Sequence, residues 1–152
     1  MKPQRQQQSI FRGHQYGVAA VEFALVSSVF FIFLFGIMEM GRMLFYWNSA
    51  VEATRFGARI AVVCDLNDTA IKARMQERLA ILTADKISIN YEPTGCSVNT
   101  CQAASVSILP GVTVATYIPF VPLSFTLPTF STALPRESMR STLEGIGNPM
   151  CD

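Results

Sequence analysis

Val18 to Met38 is an almost unbroken apolar run, VAAVEFALVSSVFFIFLFGIM, and it limits what the rest of the chain can be. Its 21 residues, wound as an α-helix at 1.5 Å per residue, extend about 30 Å, the thickness of bilayer hydrocarbon. Buried helices of soluble cores are rarely this long and this apolar, so the run is read as a single transmembrane helix. Composition agrees. Half of the 152 residues are hydrophobic and 15% are charged, against about 25% in an average soluble domain. The apolar excess sits in the first third, which leaves one ordinary domain beyond an anchor.

Charge distribution orients the helix. Residues 1–17 carry Lys2, Arg5 and Arg12 and no acid, and His14 can add to that charge. The remaining 135 residues carry nine basic and eleven acidic side chains. Basic residues flanking a span stay cytoplasmic, so the N-terminus is expected inside and the remainder on the exported side. Cys64, Cys96, Cys101 and Cys151 all follow the span, where oxidation favours disulfides. Four cysteines allow three pairings. Cys96–Cys101, closing a short loop, and Cys64–Cys151, tying the tail to the end of the long helix, are favoured. A zinc site competes, but no histidine follows the helix to support it.

Proline divides the chain: residues 4–92 have none, and seven of the eight lie at or beyond Pro93. Past the membrane, Met43, Leu44, Trp47, Ala50, Val51, Thr54, Ala58, Ala61 and Val62 recur at helical spacing, opposite Asn48, Glu52, Arg55 and Arg59. The extension should pack one face on a domain and leave its charged stripe in water. Asp65 to Asp68 reads as a break, with Asp68 or Thr69 capping a second helix through about Ala84. Its apolar stripe is Ile71, Met75, Leu79 and Leu82. Strands are expected at Lys86–Tyr91, Ser105–Leu109 and Val112–Ile118, the last two separated by a Pro110-Gly111 turn, with a weaker one over Arg136–Glu144.

Glu22 is the informative residue of the span. It sits about four residues, roughly 6 Å, inside the hydrocarbon, where a carboxylate costs free energy that a passive anchor has no reason to bear. The surrounding order is Gly17-Val-Ala-Ala-Val-Glu22-Phe23, directly after the basic segment. No small-residue signal-peptide cleavage site follows a short apolar region. Glycine leaves a protease close access to the backbone. A cut after Gly17 would create a Val18 ammonium at the membrane boundary, and the Glu22 of one copy could neutralise the Val18 terminus of a neighbour as helices pack. An uncut anchor with a snorkelling or protonated Glu22 is the alternative.

This arrangement resembles the class III prepilin leader, which a membrane prepilin peptidase cuts at the cytoplasmic face. With Ala20-Val-Glu-Phe-Ala-Leu25, Gly36-Ile-Met-Glu39-Met-Gly41-Arg42 and Ala53-Thr-Arg55-Phe-Gly57-Ala-Arg59, residues 12–63 resemble the TadE-like family, minor pseudopilins of the Tad or Flp tight-adherence pilus. The resemblance implies a Gly17/Val18 cut and an assembly role for Glu22, with Phe23 the aromatic after it. It implies as partners the prepilin peptidase, other pilins or pseudopilins, the assembly platform and the lipid bilayer. It implies a bacterial inner-membrane location with a periplasmic C-terminal domain.

The expected fold is α+β and pilin-like. Its parts are a leader (1–17), a transmembrane helix (18–38), an amphipathic continuation (39–63) and a periplasmic domain (64–152) with a short helix and a small antiparallel sheet of three or four strands. Glu39 and Arg42 lie one turn apart at the outer boundary, read first as an interfacial ion pair and second as an intersubunit contact. Tyr117–Phe130, YIPFVPLSFTLPTF, is apolar and broken by prolines; it either covers the sheet or forms a partner- or membrane-facing patch. The chain has no HExxH, GxSxG, P-loop or GxGxxG. Asp65, Asn67 and Asp68 lack EF-hand spacing. Neither enzymatic activity, nor a cofactor or metal, nor a nucleic-acid or small-molecule partner is expected.

Overall fold

The computed structural model describes residues 12–118 and 122–151, so the expectations for leader residues 1–11 and for Pro119 fall outside it. The fold is α+β. One helix, α1 (Arg12–Val63), runs for 52 residues. It crosses the division between two compact units, Met1–Met40 and Gly41–Asp152.

In the first unit the described residues are helical, and none from Gly17 to Met40 is buried. A core helix of a soluble protein would hide its most apolar stretch; here that stretch is wholly uncovered, as a membrane-spanning candidate requires. The Ser28 hydroxyl donates to the Ala24 carbonyl one turn back at 2.5 Å, so this polar group is satisfied within the helix.

The second unit is built on the remainder of α1. Ala50, Ala53, Thr54, Gly57, Ala58, Ile60, Ala61 and Val62 are buried, and these mostly small residues let other elements approach the helix backbone closely. Helical rotation puts Met43 in line with Ala50, whereas Leu44 is turned about 100° away. That explains why Leu44, expected on the packed stripe, is exposed, as is Trp47 in part. Trp47 still meets Phe130 edge to face at 5.6 Å.

The short helix α2 (Thr69–Arg78) starts where Asp68 accepts a hydrogen bond from the Ala70 N–H at 3.0 Å. It ends earlier than the spacing suggests. Leu79 leaves the helical backbone, and its N–H closes on the Met75 carbonyl at 3.0 Å. Leu79 and Leu82 are nonetheless buried beside Ile71 and Met75, because a turn closed by the Leu82 N–H on the Leu79 carbonyl at 2.9 Å carries the stripe onward; a 3-10 segment, Ala84–Lys86, follows. Asp85 on that segment is held below its ordinary pKa, chiefly by the Thr83 side chain.

The main sheet contains β1 (Ile87–Glu92), β2 (Ala103–Ile108) and β5 (Phe130–Pro135), antiparallel in the order β1-β2-β5. Ala104, Val106 and Ile108 of the central strand are buried on one face. Two hairpins complete the unit: β3 (Thr113–Ala115) with β4 (Ser124–Thr126), and β6 (Thr142–Leu143) with β7 (Ile146–Gly147). Gly111 makes the turn before β3 with φ +97°, a conformation glycine adopts without strain.

The third sheet strand is thus Phe130–Pro135. The weak alternation over Arg136–Glu144 marks a different structure. Residues 137–140 fold over the end of α1: Glu137 and Met139 N–H groups donate to the Val62 carbonyl, and the Arg140 N–H and Ser138 hydroxyl donate to the Val63 carbonyl, at 2.8–3.2 Å. A helix end leaves four carbonyls without intrahelical partners, and this strap satisfies two of them. Met139, at φ +47°, is fully buried there.

Sheet and helices meet at Gly57. A Cβ built there would lie 2.5 Å from Met75 Sδ, 2.8 Å from Met75 Cγ and 3.3 Å from Val106 Cγ1. Gly57→Ala should therefore destabilise the domain by about 1–3 kcal/mol and Gly57→Val by more, measured as a fall in Tm of detergent-solubilised chain. Unchanged Tm for both would show that α1 can back away without cost.

A second prediction concerns alkaline pH. The Tyr91 oxygen accepts the Asn67 N–H at 3.1 Å, and burial pushes the phenol above its ordinary pKa. The folded state thus holds this proton more tightly than the unfolded state. Stability should be intact below about pH 10 and fall as pH rises through the raised folded-state value. Tyr91→Phe should flatten that decline in pH-dependent unfolding curves.

Candidate functional site

Gly17, Val18, Glu22 and Phe23 share the exposed first part of α1. A Cβ at Gly17 would touch nothing within 4 Å. Val18 and Phe23 are 67% and 74% exposed, and Glu22 is exposed as well. Val18 and Glu22, at i and i+4, lie on one helical face about 6 Å apart along the axis. The same surface carries Phe30, Phe31 and Phe35 in successive ring contacts of 5.6 and 6.3 Å. The arrangement is a long apolar helix surface, uncovered by the chain itself, with one carboxylate set into it. Such a surface can take lipid or the helices of neighbouring subunits. A carboxylate on it favours a neighbour that brings a positive charge.

Glu39 belongs to the first unit and Arg42 to the second. Arg42 makes contacts that residue spacing along the helix did not reveal. Its guanidinium donates to the Ala115 carbonyl at the end of β3. It also lies over the Tyr117 ring, 4.1 Å from the centroid, and beside Tyr46 at 6.0 Å. The signal available in the sequence was a lone arginine just past the span together with a distant aromatic, Tyr117. Their distance of 75 positions hid the contact.

On the charged stripe, Glu52 pairs with Arg55 at 2.9 Å, both well exposed, an interaction worth only a few tenths of a kcal/mol.

The four cysteines form two bonds, Cys64–Cys151 and Cys96–Cys101. The first joins the end of α1 to the tail across a separation of 87 residues; the second closes a loop with a separation of five. Asp68 lies close enough to Cys64 and Cys151 to suggest a ligand cluster. Both sulfurs are committed to each other, however, and Asp68 is already occupied in capping α2 and accepting the Ser141 hydroxyl at 2.8 Å. The short loop is held from outside: Arg136 donates to the Asn99 carbonyl at 2.6 Å and Arg140 to the Asn99 side chain at 3.2 Å.

A shallow pocket is lined by Asn67, Asp68, Thr69, Lys72 and Ile89. Lys72 there donates to the Ala84 carbonyl at 3.2 Å. Its two charged groups are thus used in holding α2, which gives it a structural role.

By loop-closure entropy, the Cys64–Cys151 bond is worth roughly 4–5 kcal/mol and Cys96–Cys101 roughly 2 kcal/mol. Paired serine substitutions should lower stability in that order, measured by denaturant unfolding under non-reducing conditions. Equal losses would mean that the long bond is not restraining the unfolded chain. Non-reducing peptide mapping should recover both linkages from exported protein.

No curated protein and no solved structure matches the chain. Residues 17–59 match the family model described as TadE-like protein. That match begins at Gly17, runs through Glu22 and the apolar helix surface and ends just after Gly57, so the similarity to the TadE-like family lies within the long helix and covers most of it.

Proposed function

We propose that the protein is a minor pseudopilin of a Tad, or Flp, tight-adherence pilus, cut by prepilin peptidase between Gly17 and Val18 and used in assembling an adhesive fibre at the bacterial inner membrane. The observation that carries this reading is the position of the TadE-like match: it opens on Gly17 and covers an exposed apolar helix with a carboxylate at the fifth position after the cut. After cleavage, the Val18 ammonium and the Glu22 carboxylate of adjacent subunits neutralise each other and fix the axial register of the packed helices. The leader holds basic residues and no acid, which keeps the scissile bond on the cytoplasmic side. Glycine at the bond weakens the helix by about 1 kcal/mol relative to alanine, easing the local unwinding a protease needs. The exported domain, held by two disulfides, meets the other pilus components.

A second reading keeps the leader: an uncut single-pass anchor presenting a periplasmic binding or adaptor domain. It draws on the continuous helix through Gly17 and Val18.

Intact-mass measurement and N-terminal sequencing of membrane-extracted protein separate the two. The pseudopilin reading expects a mature chain starting at Val18; a chain retaining Met1–Gly17 in cells with active prepilin peptidase sinks it. Glu22→Ala should insert and still be cut, yet lose pilus output, since removing one partner of a desolvated charge pair costs about 3–5 kcal/mol per contact. Normal pilus output from that variant would remove the charge-pairing role.

A further inference from the structure

We propose that Asn67 is an acceptor for an N-linked glycan, added from a lipid-diphosphate-linked oligosaccharide. The proposal rests on the reading that places the chain beyond Met38 on the exported side.

The residues carry the signal. Asn67-Asp68-Thr69 is an Asn-x-Thr triplet without proline at its centre, the pattern an oligosaccharyltransferase reads. Asp65 places an acid two positions before the asparagine, the addition that the bacterial form of the signal makes. Asn48, Asn90, Asn99 and Asn148 all lack the triplet, so it occurs once in the chain.

The fold presents the three residues that are read. Exposure alternates through the turn between α1 and α2: Asp65, Asn67 and Thr69 are exposed, and Leu66 and Asp68 are half-buried. The inward two are the positions the signal leaves free, and the fold uses both. Leu66 packs against the core. Asp68 caps α2 through the Ala70 N–H and accepts the Ser141 hydroxyl. The turn itself is held by backbone groups. The Asp65 N–H donates to the Ser141 oxygen at 2.9 Å, the Asn67 N–H to the Tyr91 oxygen at 3.1 Å and the Asp68 N–H to the Asp65 carbonyl at 3.2 Å. None of these bonds uses the side chain of Asp65, Asn67 or Thr69. Asn67 has φ +60°, which asparagine tolerates better than most residues. That conformation accounts for an asparagine at 67. It does not account for an acid at 65 or a threonine at 69.

In the transfer, Asn67 Nδ2 bonds to the anomeric carbon of the first sugar. The bond from that carbon to the phosphate oxygen breaks, and the lipid diphosphate leaves with the electron pair. One amide proton passes to a base of the transferase, and nothing is oxidised or reduced. The Thr69 hydroxyl and the Asp65 carboxylate serve only in recognition. The product is a bulky, hydrophilic cover over the turn.

The test uses the full chain with a second copy of the Asp65–Thr69 sequence joined after Asp152 by a glycine-serine linker. It is produced in cells holding a bacterial oligosaccharyltransferase and its lipid-linked donor, with transfer to a known acceptor protein checked in the same cells. Intact mass and glycopeptide mapping of the membrane-extracted chain should find two glycans, one on Asn67 and one on the added copy. Asn67→Gln and Thr69→Ala should each leave only the added copy modified. Thr69→Ser should keep the glycan on Asn67, and Asp65→Ala should lower its occupancy more than tenfold. Recovery of the Cys64–Cys151 linkage in each variant shows that the domain has folded. A modified copy beside a bare Asn67 would overturn the proposal while leaving export intact. Two bare sites would remove the exported-side reading and the proposal together. The chain purified from its native membranes should carry a glycan on the peptide containing Asn67, and a bare Asn67 there would equally overturn the proposal.

Discussion

The close approach at Gly57 is the contact on which the second unit depends. A helix leaving a membrane presents a narrow cylinder, and a small domain can bury apolar area against it only by coming near its backbone. Ala50, Ala53, Gly57, Ala58 and Ala61 allow that, and Met75 and Val106 fill the space where a larger side chain would stand. The sheet order follows from it. β2 is central because its alternate residues face the core that α1 completes, and β5 joins its free edge, where Thr132 shares a 3.1 Å hydrogen bond with the buried Thr54.

The two halves of α1 obey opposite solvent rules on one continuous backbone. Up to Met40 the apolar side chains face outward and the polar hydroxyl of Ser28 is turned back on the helix. From Ala50 onward the apolar side is covered and the charged stripe is wet. A helix whose first half is a candidate membrane span must be made entirely of its own backbone hydrogen bonds, since lipid would offer that half no partners. That is consistent with the absence of proline from residues 4–92.

The α+β class, the long helix and the start of α2 were legible because each has a local cause: apolar length, helical spacing and an aspartate ready to cap. The strand β5 was not: Phe130 fell at the end of the proline-broken stretch Tyr117–Phe130, and Ser131–Pro135 was assigned to no element. Its half-buried residues, Phe130, Thr132 and Leu134, do alternate with exposed ones. Arg136–Glu144 misled in the opposite direction, since Met139 is buried by a capping strap with a left-handed residue and not by pairing. Around the candidate site, residue order singled out Gly17, Val18, Glu22 and Phe23 by their spacing, and all four lie on the exposed first part of α1. The contact of Arg42 with Ala115 and Tyr117 depends on tertiary folding, for which spacing carries no signal.

The long disulfide gives the strap a mechanical meaning. Residues 64–151 form a covalently closed loop whose two ends meet where α1 stops. A pull along the helix cannot slide α1 out of the domain as a free rod, because Cys64, directly after its last residue, is fastened to Cys151 in the tail that follows the capping strap. The load passes into the sheet through the strap's hydrogen bonds and through a covalent link in parallel. A chain drawn by its helix would carry the second unit as cargo that cannot be stripped off at that joint.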